Sequence, residues 1–139
     1  MITAGNLDHA RAIAKEAGCF FNPECDHVIS RSENGKLLGG VIFQGYTGAS
    51  IGIHVGSFDP RWLNKDMLWI AFHYPFDQLG VQKLFGQIPS DNRKALDFNN
   101  KLGFKEEARI AGVFPDADLV VMSMRREECR WLKRGSRGK

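Results

Sequence analysis

Residues 92–104, Asn92-Arg93-Lys94-Ala95-Leu96-Asp97-Phe98-Asn99-Asn100-Lys101-Leu102-Gly103-Phe104, are the stretch on which the fold turns. Their pattern predicts a helix from about Asn92 to Leu102, led in by Pro89-Ser90-Asp91. Gly103 is suited to the left-handed position that closes a helix, and Phe104 is the apolar residue that packs back on it. Lys83–Ile88 upstream reads as a strand. Two further strands follow, Phe104–Val113 and Asp118–Met124, joined by Phe114-Pro115-Asp116-Ala117.

Further upstream, an apolar stripe of Leu7, Ala10, Ile13, Ala14 and Ala17 predicts a first helix, with Asn6 or Asp8 as its cap and Gly18 as its stop. Residues 19–24 break that pattern and are expected as a loop or a short second helix. His27–Glu33 and Leu37–Tyr46 read as a hairpin closed by Asn34-Gly35. Ser50–Gly56 alternates as a third strand, with Ile51, Ile53 and Val55 on one face and Ser50, Gly52, His54 and Gly56 on the other. A helix beginning near Arg61–Lys65 runs through Met67–Phe72. It is apolar nearly all round, which places Trp69 and its neighbours in the core. Pro75 should bend or end its regular part, and Gly80 closes the segment. The order is α, β-hairpin, β, α, β, α, β, β, an α+β pattern with a parallel βαβ crossover at its centre.

The chain has 139 residues, 43% hydrophobic and 25% charged, a balance suited to one globular domain. It shows no apolar run of membrane-spanning length and no signal-like N-terminus, so a cytoplasmic protein without a membrane partner is expected. Of 19 Lys and Arg residues, seven lie from Arg125 onward, which leaves 12 basic against 14 acidic residues in the body. The net charge of +3 is therefore a property of the end of the chain. Residues 1–130 are read as one domain and residues 131–139 as a basic flexible tail. That tail reads as a solubilising terminus, and nucleic acid is not the expected partner. Three cysteines without CxxC spacing indicate neither a disulfide framework nor a metal site, Cys25-Asp26-His27 included.

Residues 92–104 resemble the motif N-x-x-A-x-x-x-x-x-K-x-G-F of the GNAT acyltransferases. Tyr74-Pro75-Phe76-Asp77-Gln78-Leu79-Gly80-Val81-Gln82-Lys83-Leu84 is similar to the phrase Y-A-F-E-x-L-G-x-x-x-L of members related to ribosomal-protein acetyltransferases. The resemblance spans roughly residues 28–124. It implies a three-layer fold: a central mixed, mostly antiparallel sheet of about six or seven strands, flanked by helices, with a splayed parallel pair at Ser50–Gly56 and Lys83–Ile88. It further implies acetyl-CoA, or another acyl-CoA, as cosubstrate, an amine acceptor such as a protein terminus, a lysine or a small amine, and no metal. The pantetheine arm would enter the gap between the splayed strands. The pyrophosphate would sit at the N-terminus of the following helix, where free amides and the positive dipole end favour an anion. The residues implied in cofactor binding are Val55, Gly56, Arg61, Trp62, Leu63, Asn64, Lys65, Asn92 and Lys101, with Arg61 and Lys65 as mobile positive charge. The family's pyrophosphate loop, Q/R-x-x-G-x-G/A, places its two glycine positions on Trp62 and Asn64, so the loop is degenerate here.

The implied chemistry is direct attack of a neutral amine on the thioester carbonyl. A backbone amide near Val55 or Gly56 would stabilise the developing oxyanion. His54 is the candidate base, because imidazole titrates near neutrality and this one stands beside the implied thioester. A strand histidine satisfied by a polar neighbour is the alternative. Glu33, His27 and Ser123 are weaker candidates. Many relatives place a Tyr acid where this chain has Asn99, whose amide can hydrogen-bond a thiolate but holds no titratable proton. Phe20, Phe21, Asp26, Phe114 and Asp116 are expected to line the acceptor mouth, with the two aspartates able to attract a cationic amine, or the phenylalanines to close the core. Beside active N-acyl transfer stand two alternatives. One is a GNAT-shaped binding module without turnover, suggested by Trp62, Asn64 and Asn99. The other is a nucleic-acid-associated protein using the basic tail. The pattern leaves monomer and homodimer open.

Overall fold

The computed structural model describes residues 1–132, and statements of absence below concern those residues. Seven strands form one mixed sheet: β1 (Ile2–Ala4), β2 (His27–Glu33), β3 (Lys36–Gln44), β4 (Ser50–Ser57), β5 (Lys83–Pro89), β6 (Lys105–Phe114) and β7 (Ala117–Arg125). Their spatial order is β1-β2-β3-β4-β5-β7-β6. Only β4 and β5 run parallel; every other neighbouring pair is antiparallel. Helix α1 (Leu7–Ala17) covers β2, β3 and β4 on one face. Helices α2 (Lys65–His73) and α3 (Arg93–Leu102) cover the opposite face, giving the three layers expected.

Local chemistry sets most element ends. The side chain of Asn6 accepts the amide of His9 at 3.0 Å and opens α1, and Gly18 closes it at φ 75°. The side chain of Asn92 accepts the amide of Ala95 at 3.2 Å and opens α3. At its other end the amides of Gly103 and Phe104 return to the carbonyls of Asn100 and Asn99, both within 3.1 Å, with Gly103 at φ 112°. This reciprocal pair of bonds is the Schellman closure, and it buries Phe104. The hairpin turn takes positive φ at both Asn34 (51°) and Gly35 (80°), as a two-residue turn between twisted strands requires.

The regular part of α2 ends at His73, just before Pro75, as expected. Lacking an amide hydrogen, Pro75 cannot continue the i→i−4 ladder. The chain widens into a π turn over Tyr74–Gln78, with the Leu79 amide reaching the Tyr74 carbonyl at 3.0 Å. The turn packs Tyr74 on Phe43, with ring centroids 5.2 Å apart, and buries Phe76. Asp77 is bonded to Arg126 and, at 3.1 Å, to His73.

Residues 19–24 form a loop, one of the two forms expected, in which Asp26 Oδ2 accepts the Asn22 amide at 2.9 Å. Several other expectations are corrected. A strand, β1, precedes α1 where none was expected, pairing Ile2–Ala4 with Arg31–Ile29. Helix α2 starts at Lys65, within the expected range, but the residues before it form a separate 3-10 turn at Pro60–Trp62. Trp69 is half-buried at the surface, stacked on His73 at 4.2 Å. Only Met67 and Phe72 of α2 are fully buried, because the helix lies on one face of the sheet and nothing covers its outer side. Leu7 is likewise exposed, at the very start of α1. Trp131 and Leu132, expected in the tail, pack on the core, and the Trp131 indole donates to the Leu102 carbonyl at 2.8 Å. Two basic residues counted toward the end of the chain are structural anchors: Arg126 holds Phe76 and Asp77, and Arg130 holds the Lys101 carbonyl. Residues 133–139 of the expected tail lie outside the described residues. No helix among the described residues is long and apolar enough to cross a membrane.

Glycines let the layers close. A Cβ on Gly40 would stand 2.6 Å from Ile13 Cδ1, and one on Gly56 would stand 2.7 Å from the Ile13 carbonyl oxygen, so α1 rests directly on β3 and β4. On the other face a Cβ on Gly39 would meet Trp62 at 2.9 Å. Gly56→Ala is therefore expected to lower stability by about 1–3 kcal/mol, the usual range for overpacking. Urea unfolding followed by circular dichroism measures it, and an unchanged midpoint would show that α1 shifts without cost.

Candidate active site

Strands β4 and β5 pair only through Ser50↔Lys83, Ile51↔Leu84 and Gly52↔Phe85. Past Gly52 they part. Alternate backbone amides and carbonyls of Ile53–Ser57 then face a gap instead of a ladder partner. The gap opens into a cleft of about 720 Å³ between β4, β5 and α3, walled by Val55, Leu63, Ile88 and Phe98 among others. Trp62, buried against Phe98 with ring centroids 6.3 Å apart, forms part of the same wall.

His54 stands at the foot of the V and borders both this cleft and a smaller pocket of about 230 Å³. Burial pushes its pKa below the ordinary value, and the negative charge of Asp26 opposes that shift only in part. The imidazole is thus neutral near pH 7 and able to accept a proton.

Asn99 also lines the cleft, with Nδ2 donating to the Ala95 carbonyl at 2.9 Å. Its Oδ1 lies 3.6 Å from where a Cβ on Gly86 would be, so it faces the bare backbone of β5. In this orientation Asn99 offers the cleft an acceptor.

The entry to α2 differs from a glycine loop. Asp59 caps the 3-10 turn, accepting the Arg61 amide at 2.9 Å and gripping the Arg61 guanidinium at 3.0 and 2.9 Å. These bonds hold the Asp59 carboxyl down to about 2. Glu33 lies 3.5 Å from the same guanidinium, so Arg61 is an anchored charge, whereas it was expected to be mobile. Asn64 caps α2 with its own side chain, accepting the Met67 amide at 2.8 Å. A helix leaves its first amides without partners inside the helix. Among the described residues, those of Asn64 and Lys65 remain for an anion or water. Lys65 is exposed on that first turn, and Lys94 lines the cleft from α3. Asn64 and Lys65 themselves do not line the cleft, which their segment reaches through Trp62 and Leu63, and no glycine there permits a close backbone approach.

No protein-family model matches the chain, and no curated protein matches it. Solved structures do share its arrangement. A single-site mutant of spermidine N-acetyltransferase SpeG from Vibrio cholerae superposes with a TM-score of 0.72 at 15% identity, covering 97% of each chain. Another mutant form, described as the spermidine/spermine N-acetyltransferase SpeG from Vibrio cholerae, gives 0.72 at 16% identity, over 96% of this chain and 98% of that one. The N-acetyltransferase PseH from Campylobacter jejuni, in complex with acetyl coenzyme A, gives 0.56 at 16% identity over 73% of this chain and 68% of that one. The fold is the GNAT fold.

Within the GNAT frame, His54, Val55, Trp62, Leu63, Asn92 and Asn99 all line the cleft. Gly56 lies under Ile13, and Lys101 sits exposed on the last turn of α3; neither lines it. Asp26 reaches the foot of the V through Gln44, whose Nε2 donates to Asp26 Oδ2 at 2.8 Å. Gln44 also holds the carbonyl of Phe20, whose ring is 95% exposed, while Phe21 packs beside α1. Phe114 and Asp116 lie at the β6–β7 turn, beside the Pro89 end of β5, and line neither cavity. Glu33 is paired with Arg31 at 2.8 Å, Ser123 donates to Glu107 at 2.6 Å, and His27 lies against Tyr74. Glu16, Gln87 and Lys94 border the cleft and were not anticipated. Glu16 and Gln87 arrive from α1 and β5, outside the motif, while Lys94 occupies one of the motif's unspecified positions, so no local pattern marked any of them.

The depressed pKa of His54 has a definite sign. Its folded value lies below its unfolded value near 6.5, so the unfolded chain binds the proton first as pH falls. His54 therefore subtracts stability below about pH 6.5 and has no such effect above it. An NMR titration should place the His54 midpoint below 6.5, and His54→Gln should flatten the acid limb of the stability profile. A midpoint at or above the free imidazole value would contradict the burial assigned here.

Proposed function

We propose that this chain is an N-acyltransferase that moves an acyl group, most simply acetyl, from a CoA thioester to a primary amine. The observation that carries the reading is the parting of β4 from β5 beyond Gly52, with a neutral His54 at the foot of the resulting cleft. Likeness to SpeG and to PseH with acetyl coenzyme A supports it at the level of fold. The phrase from Tyr74 to Leu84 supports a place near the ribosomal-protein acetyltransferases.

Val55, Leu63 and Phe98 would flank an extended pantetheine arm, and Lys65, Lys94 and the amides of Asn64 and Lys65 would hold its phosphates. The thioester supplies an activated carbonyl. The amine nitrogen bonds to the carbonyl carbon as the carbon–sulfur bond breaks. His54 takes the proton that the nitrogen sheds, and the departing thiolate takes one from solvent, because Asn99 has none to give. A β4 amide facing the gap polarises the carbonyl oxygen.

Calorimetric titration with acetyl-CoA should show saturable binding, and free thiol should be released when amines are added. His54→Ala should lower kcat by about a hundredfold with the acetyl-CoA dissociation constant little changed. Wild-type turnover should fall as pH drops through the His54 pKa. Absence of acetyl-CoA binding would remove the proposal. Binding without thiol release across an amine panel would favour the binding-module reading that Asn99 and the closed α2 entry support.

A further inference from the structure

The smaller pocket lies on the α1 side of the sheet, where Gln44, Gly52 and His54 meet Phe85 and Gln87 across the foot of the V. It exists because residue 52 has no side chain. A Cβ there would stand 3.3 Å from the Gln44 carbonyl oxygen and 4.0 Å from that of Phe85, within the pocket. Gly52 is not at a positive φ, so the backbone does not require glycine at this position. What glycine provides is space.

The surroundings are acidic. No lysine or arginine lines the smaller pocket among the described residues. Asp26, half-buried, is fixed beside it by Gln44 at 2.8 Å, and close enough for its charge to act on His54. Glu16, on the last turn of α1, borders the adjoining cleft next to His54. Lys83, whose ammonium lies 5.2 Å from the Phe85 ring centroid, is matched by Glu107 at 2.6 Å.

A reacting amine must be neutral when it attacks, so a monoamine loses its charge just when these carboxylates could act on it. A second cationic centre keeps its charge throughout. A pocket of about 230 Å³ has room for a small aliphatic chain.

We propose that this pocket is the acceptor subsite of the acyl transfer, and that it selects a small aliphatic amine carrying at least one further positive charge. Gly52 gives the chain room, and Asp26, oriented by Gln44, holds the charge that does not react. This rests on the acyltransferase reading above.

Two measurements separate the ideas. The first is binding alone: 1,4-diaminobutane should shift the amide resonances of Gly52 and Gln87, and butylamine should do so about tenfold more weakly, as loss of one charge-assisted contact implies. That readout needs no CoA and no turnover, so it stands even if acetyl-CoA fails to bind. The second is thiol release with acetyl-CoA, where kcat/KM for the diamine should exceed that for butylamine by about tenfold. Gly52→Val should abolish diamine binding while acetyl-CoA still binds in the calorimeter. Asp26→Asn, a change on an exposed turn, should raise KM for the diamine with little effect on kcat. Equal binding of the two amines, or diamine binding unaffected by both substitutions, would overturn the proposal.

Discussion

The parting of two parallel strands is the constraint from which the rest of this molecule follows. A parallel ladder satisfies backbone groups only while the strands stay about 4.8 Å apart. Here that distance is held for three register pairs and then abandoned. Beyond Gly52 the polar edge of β4 is left without a strand beside it, and unpaired backbone groups away from water are expensive. The fold tolerates this because the gap is open to solvent and its walls are built from elsewhere. Trp62, from the turn after β4, and Phe98, from α3 beyond β5, pack together in its wall. Gly39 makes that possible by leaving the sheet surface flat enough for an indole to lie on it.

Charge is arranged around the same gap. Two cations are already engaged: Lys83, near its foot, by Glu107, and Arg61, at the entry to α2, by Asp59 and Glu33. Lys94 lines the cleft from α3, and Lys65 stands exposed at the start of α2. The cleft wall thus carries the carboxylates of Glu16 and Asp59, the Lys94 ammonium and an uncharged imidazole.

Much of the fold was legible because its signals are local. Asn34-Gly35 specifies a turn through the backbone angles that only those residue types accept readily, and Gly103-Phe104 specifies a helix end in the same way. The alternation in β4 separated the core face, Ile51, Ile53 and Val55, from the face carrying His54. What was not legible is what depends on distance in sequence. Three residues at the N-terminus are too few to show a period, yet they pair with β2. Trp69 and Trp62 are the same residue type in neighbouring segments. One is stacked half-exposed on His73 and the other is buried, because α2 presents one side outward and the 3-10 turn faces inward. In the site, His54, Val55 and Asn99 belong to strands and helices whose order was clear. Gln87 and Glu16 reach it only through β5 register and the docking of α1, which no local pattern encodes.

Trp62 carries one more consequence. The chain has three tryptophans, and Trp69 and Trp131 are half-buried away from the cleft walls, while Trp62 is 5% exposed within them. An indole's fluorescence follows the polarity of its surroundings. Any molecule that displaces water from the cleft changes those surroundings for this indole alone. Trp62 thus makes occupancy of the cleft visible as light, without a label.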